Sequence, residues 1–327
     1  MILAGDVGGT KTILALFEAG SKNCVKKQQF SSAHFQTFSE LLALFLVDVD
    51  CASITEACIG VAGIVVNGHC ETTNLPWVLD VNDIGRRIDS QPVWLLNDLE
   101  ATAWGLLDLP DQDFVELNPG AQQQKGNIAV LAAGTGLGEA IIAWNGEAYH
   151  VIASEGGHTD FSPTNELELA LLKQMLEKHP DHVSWERLVS GEGLINIYSF
   201  LKQINYADVN PETEQQLTER DPASVIGEQG VAGVDPLSFE ALKLFCRLYG
   251  VESGNLALKC LPYGGIYLAG GIAAKILPVL RQGDFMDGFL AKGRCRPILQ
   301  KISVKVCTNP EIALLGALSY AEQHITS

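Results

Sequence analysis

Basic side chains are scarce in this sequence: 22 Lys and Arg stand against 39 Asp and Glu in 327 residues, a formal net charge of −17. Polyanions and anionic bilayers are bound through basic faces, so the balance argues against nucleic acid or a membrane surface as partner. It leaves room for a small anion, which a few backbone N–H groups can hold. No stretch approaches the roughly 18 apolar residues of a membrane span. The start, MILAGDVGG, has no basic region and meets Asp6 at once, and Ile325-Thr326-Ser327 at the other end matches no address. A cytoplasmic chain is expected. The eight cysteines (24, 51, 58, 70, 246, 260, 295 and 307) contain no CxxC pair and no metal-ligand cluster. Most fall in apolar runs and read as buried thiols of a reducing compartment. Disorder is excluded as well, because 47% hydrophobic residues against 19% charged ones can bury a core. The length suffices for two lobes, each with its own core.

Strand and helix signals alternate. ILAGDV, TILALFEA and CVKKQQF read as strands, TFSELLALFLVD from Thr37 as a helix and ITEACIGVAG from Ile54 as a buried strand. VNDIGRRI is a short helix, VWLLND a strand, and LEATAWGLLDL a helix closed by Pro110. This is an α/β lobe, expected over residues 1–109. The polar segment FVELNPGAQQQKGN reads as a hinge into a second lobe, 110–308. There NIAVLAAGTG, LGEAIIAW and EAYHVIAS read as strands, with Asn145-Gly146 the strongest hairpin signal. Helices follow, the longest across DPLSFEALKLFCRLYGVESGNLALKCL, and residues 205–221 read as an exposed polar loop. A strand, ISVKVCT, precedes a final helix with Pro310 in its first turn.

Three apolar runs end in glycine-rich turns. Asp6-Val7-Gly8-Gly9-Thr10 can bring backbone N–H groups close to an anion, and Thr10 adds a hydroxyl. Asp6 at the strand end suits Mg²⁺ held through water. A strand follows instead of a helix, so a plain hairpin is the bland alternative, and neither a Walker loop nor a GxGxxG helix start is present. Gly134-Thr135-Gly136-Leu137-Gly138 repeats the pattern, and Gly270-Gly271 opens a third turn. Together the three favour a nucleotide site. Asn97-Asp98 lies where a strand gives way to a helix, a place for an N-cap or for a catalytic carboxylate. Glu155-Gly156-Gly157-His158 sets a carboxylate and an imidazole about two glycines, able to converge on a polyhydroxy ligand. Glu186 alone reads as an exposed helix-start carboxylate.

In this order GDVGGT, TTNLPW, LLND, AGTGLG, EGGHTDF, HVSWERLVSGEGLINIY and LAGGI resemble the bacterial-type glucokinase family of the hexokinase and actin-like ATPases, over about residues 2–320. The resemblance implies a two-lobed actin-like ATPase (ribonuclease H-like) α/β fold with an interlobe cleft, the last helix, 309–327, returning to the first lobe. It implies ATP-dependent phosphorylation of D-glucose to glucose 6-phosphate with Mg²⁺, and a homodimer. Asp98 is then the general base, for which an ordinary carboxylate suffices. Asn74, Asn97, Asp98, Glu155, His158 and Glu186 bind the sugar. Gly5, Asp6, Val7, Gly8, Gly9 and Thr10 hold phosphate with Gly134, Thr135 and Gly136, and Asp6 steers the metal through water. Gly270 and Gly271 lie near the nucleoside. Lys11 stands where close bacterial glucokinases usually carry Asn. The sister repressor and sugar-kinase family, with related hexose and amino-sugar kinases, often has that Lys. It also has a clustered-Cys zinc motif, which does not occur between Gly157 and Val231. An idle sugar sensor or a filament-type ATPase fits less well, since neither needs both Asp98 and the Glu155, His158, Glu186 set.

Overall fold

The same strand order is used twice in the computed structural model of the chain, which describes residues 1–72, 75–119, 121 and 124–324. One compact unit comprises Met1–Asp111 and Asn309–Ser327, the other Gln112–Thr308. In the first, the sheet runs Cys24–Ser31, Lys11–Phe17, Ile2–Val7, Glu56–Val61, Val93–Asn97. Its first two strands form antiparallel hairpin pairs and the last three are parallel. In the second unit, Tyr149–Ser154, Leu137–Trp144, Ile128–Ala133, Ile266–Ala269 and Val304–Cys307 repeat the pattern, and Phe114–Glu116 adds an antiparallel edge.

Parallel strands need both faces covered. In the first unit Leu3, Val7, Ile59, Val93 and Leu95 pack against Phe38, Leu41, Phe45, Ile84 and Ile88 of the helices Phe38–Phe45 and Val81–Ile88. Residues at alternate positions face the other way. There Trp94 meets Tyr320 of the helix Ile312–His324, ring centroids 5.9 Å apart. That helix lies close on Asp98–Asp108: a Cβ on Gly316 would overlap the Ala101 carbonyl, so only glycine permits the approach. In the second unit the 25-residue helix Pro236–Cys260 buries Phe245 and Tyr249 against Phe285 and Phe289. Each such side chain contributes roughly 1.5–3 kcal/mol of burial.

Four sequence expectations change. Residues 205–221 are not all loop, since Pro211–Glu219 is a helix. Its first turn has Pro in it, Asn210 accepts from Glu212 N–H, and Asp235 accepts from Asn210 N–H, so caps replace the missing apolar stripe. The polar hinge begins with a sheet strand, Phe114–Glu116. The last helix starts at Ile312, with Pro310 and Glu311 in the turn before it. Finally, cysteines 58, 70, 246, 260 and 307 are buried but Cys24 is exposed. No helix among the described residues is long and apolar enough to cross a membrane.

Candidate active site

The first glycine turn closes with Gly8 N–H on the Lys11 carbonyl at 3.0 Å. Gly9 and Thr10 keep their N–H groups without a protein acceptor among the described residues, so the turn offers donors to an anion. It is braced from behind. Register pairs Lys11 with Ser31, which brings Ser32 alongside the turn. Ser32 N–H donates to the Thr10 carbonyl at 3.0 Å, its hydroxyl donates to the Gly8 carbonyl at 2.9 Å, and Thr12 Oγ1 lies 3.0 Å from the same hydroxyl. Gly5 and Val7 are buried within the strand; Gly8, Gly9 and Thr10 make the turn itself.

Asp6 and Asp98 occupy the carboxyl-terminal edge of the parallel strands, with Glu56–Val61 between theirs, so their strands lie about 10 Å apart. Half-buried Asp6 is pushed up to about 6, first by burial and then by the charge of Asp98, while Lys11 pulls it down. A divalent cation would offset both raising effects, and the chemistry of this carboxyl beside anion-ready N–H groups fits a Mg²⁺-bound nucleotide. The helix Asp98–Asp108 is not capped by Asp98, which corrects the capping alternative for that residue. Asn97 is the N-cap, its Oδ1 accepting from Leu99 N–H at 2.9 Å, and Asn97 Nδ2 donates to the Gly63 carbonyl at 3.0 Å. Asp98 is the first helical residue, exposed, its Oδ1 also 2.9 Å from Leu99 N. It is therefore not needed as the cap.

In the second unit Gly134 N–H closes the turn on the Gly136 carbonyl at 2.9 Å, and Gly191 N–H donates to the Gly134 carbonyl at 2.9 Å. Thr135 and Gly136 keep N–H groups without a protein acceptor among the described residues. Glu186 takes the bracing role: its Oε2 accepts from Leu137 N–H at 3.0 Å, and a Cβ on Gly136 would overlap it. Glu186 Oε1 stands 4.0 Å from His158 Nδ1, and His158 Nε2 stands 4.0 Å from Glu155 Oε2. These separations are too long for direct hydrogen bonds, so the three side chains keep capacity for an added hydroxyl-rich ligand. Backbone pairing brings the two motifs together: Phe161 N–H donates to the Val183 carbonyl at 2.9 Å, and Trp185 N–H to the Thr159 carbonyl at 3.0 Å. Phe161 and Trp185 seal the junction, ring centroids 5.0 Å apart.

The structure thus joins Glu155, His158, Glu186 and Gly134 to Gly136 in one cluster, and Asp6, Asp98, Asn97 and Gly8 to Thr10 along one sheet edge. Gly270, at φ +80°, packs on Ala133, so Gly270 and Gly271 follow a strand adjacent to that of Gly134. Asn74 lies outside the described residues. Sequence reading missed Ser32 and Ser190. Ser190 caps the helix Gly191–Gln203 and donates its hydroxyl to the Glu186 carbonyl at 2.7 Å. A serine three residues before a glycine in the SGEG segment was a cap signal; Ser32 had none.

This doubled α/β sheet, each copy carrying a donor-lined glycine turn, is the two-lobed actin-like ATPase fold of sugar kinases. The chain superposes on the glucokinase of an Antarctic psychrotroph with a TM-score of 0.84 at 27% identity, over 98% of each chain. Against the Balamuthia mandrillaris glucokinase, solved in complex with glucose, the TM-score is 0.78 at 25% identity, over 98% of this chain and 93% of that one. The glucokinase family model matches residues 3–324. Identity is 42% to the glucokinase of Trichormus variabilis and 43% to that of a Nostoc species, each over 97% of both chains. The chain belongs to the glucokinase family.

Proposed function

We propose that this chain transfers the γ-phosphoryl group of ATP to the 6-hydroxyl of D-glucose, with Asp98 as general base. The observation that carries the reading is the double engagement of Glu186. One oxygen braces the Gly134 to Gly136 turn and the other faces His158, beyond which stands Glu155. A side chain so placed links phosphate cradling to hydroxyl binding, which a sugar kinase requires and a plain ATPase does not.

Phosphoryl transfer asks the protein mainly for positioning and charge neutralisation. Glu155 and Glu186 accept from sugar hydroxyls, His158 adds a ring nitrogen, and Asn97 has a second amide hydrogen to donate. Charged acceptors give hydrogen bonds of roughly 1.5–3 kcal/mol, and a ligand with an inverted hydroxyl leaves them unpaired. Leu99 N–H fixes one Asp98 oxygen and so aims the carboxylate. Asp98 accepts the 6-hydroxyl proton as the new O–P bond forms and ADP departs with the electron pair of the bond that breaks. The unpaired N–H groups of each turn are donors suited to phosphate oxygens. Mg²⁺ bound with the nucleotide supplies neutralisation of the phosphate charge, and Asp6 would hold it through water. Asn74 belongs to the same sugar set by resemblance, Gly270 and Gly271 to the nucleoside side. The reading includes a cytoplasmic location and a homodimer, and light scattering on the purified protein checks the dimer.

A coupled assay with Mg·ATP over glucose, mannose, galactose, glucosamine and N-acetylated hexosamines tests the reading. Glucose is expected to give the highest kcat/KM, with glucose 6-phosphate as product. Absence of that product, or ATP hydrolysis equally fast without sugar, rejects it. Preference for an N-acetylated sugar favours an amino-sugar kinase activity instead.

A further inference from the structure

Under the Glu155 to His158 turn lies a carboxyl group that this chemistry does not use. Glu139 stands in the strand Leu137–Trp144, opposite Leu131 on one neighbour and Ser154 on the other. It is 1% exposed, yet neither of its oxygens accepts a hydrogen bond among the described residues. Its facing group is a second buried carboxyl, Glu252 of the helix Pro236–Cys260, and the two bond each other only when a proton lies between them. Glu252 also accepts from Asn255 Nδ2 at 2.7 Å, and Lys259 Nζ stands 4.0 Å from its Oε1. Lys292 Nζ donates to Asn255 Oδ1 at 2.6 Å. The other titratable neighbours are Tyr249, whose hydroxyl donates to the Leu131 carbonyl at 3.0 Å, and the Cys260 thiol; burial pushes both up. Burial, and after it the charge of Glu252, pushes Glu139 up to about 8.

The sugar-binding turn rests directly on this strand. A Cβ on Gly156 would overlap the Glu139 carboxyl, and one on Gly157 the Leu137 carbonyl. We propose that Glu139 is a positioning residue: hydrogen-bonded to Glu252 through a shared proton, it forms the floor under Gly156 and so sets where Glu155 and His158 stand. The inference rests on the reading of those two side chains as sugar ligands. When Glu139 loses its proton, two buried carboxylates face each other and the pair must separate, with the Gly156 backbone as the cover on one side. If the displaced turn does not bind sugar, the apparent Kd rises with the ionised fraction, about tenfold per pH unit beyond the titration near 8.

Glucose is titrated calorimetrically into the intact protein, without nucleotide, from pH 6.5 to 9.5. The wild type should hold a constant Kd to about pH 7.5 and weaken about tenfold by pH 9. Glu139→Gln, whose amide still donates to Glu252, should bind as well at pH 7 and stay flat. Glu252→Gln removes the repelling charge and leaves an amide that can donate to an ionised Glu139, so its Kd should also stay flat, and it serves if the first variant folds poorly. Thermal unfolding gives a readout independent of sugar. A raised native pKa means stability is lost as pH rises from the unfolded value toward 8, so the Tm of Glu139→Gln should gain on wild type over that window. A wild-type Kd flat to pH 9.5, or the same weakening in Glu139→Gln, overturns the proposal. Wild-type glucose affinity in Glu155→Gln and His158→Ala would instead remove the sugar reading, while the Tm comparison still judges the proton-sharing pair.

Discussion

The two glycine turns share a local design and differ in what stands behind them. Each places the first glycine's N–H on a carbonyl that closes the loop and leaves the next N–H groups for a ligand. Behind Gly8 to Thr10 are the hydroxyls of Ser32 and Thr12, buried and neutral, serving that turn alone. Behind Gly134 to Gly136 is a carboxylate, Glu186, whose other oxygen faces the imidazole of His158 in the proposed sugar cluster. Hydroxyls give a stiff, passive support. If the proposed sugar assignment holds, a charged brace shared between two ligand sets makes the second turn sensitive to the sugar. Placing the single negative charge there also costs less than it would in the first turn, where Asp6 and Asp98 already repel each other.

Among variants of the turns, Glu186→Ala should have the largest effect. It deletes the Leu137 N–H acceptor and the proposed sugar acceptor together, so kcat/KM should fall about 10²-fold whichever substrate is varied. Steady-state kinetics in both substrates reads it; a change confined to glucose would break the claimed sharing. Next comes Gly136→Ala, which keeps Glu186 but pushes its carboxylate aside. A loss of about tenfold in both directions is expected, and an effect on ATP alone would show that Glu186 adjusts freely. The smallest is Ser32→Ala. It should raise the KM for ATP about threefold, leave glucose unaffected, and cost about 1–2 kcal/mol in denaturant unfolding because Thr12 loses its partner. Altered glucose binding there would erase the difference between the turns.

What could be read from the sequence follows from the range of the forces involved. Strands ending in glycine were legible, because an apolar run meeting Gly8 or Gly134 is a local signal. So was Val81–Ile88, which follows the capping Asp80 and ends in two arginines. Pro211–Glu219 was not, since its polar residues carry no apolar stripe and its support comes from Asp235, 25 positions away from Asn210. In the candidate site, the residue types at Glu155 and His158 were suggestive by themselves, while Asp98 read first as a cap and, like Glu186, gained its role by resemblance. Its geometry depends on residues 159–161 pairing with 183–185, which no local pattern encodes. Ser32 was invisible for the same reason: strand register alone places it beside Thr10. Glu139 did leave a trace, a lone carboxylate within the apolar strand LGEAIIAW.

If Asp98 takes the proton from the sugar, Asp98→Asn removes the base and little else. Asn97 remains as the helix cap, so the fold and Tm should hold. Turnover of glucose at saturating Mg·ATP, measured beside calorimetric glucose affinity on the same preparation, separates chemistry from binding. Glucose affinity should stay within a few-fold of wild type while kcat falls by roughly 10² or more. Turnover near the wild-type rate would contradict that role for Asp98.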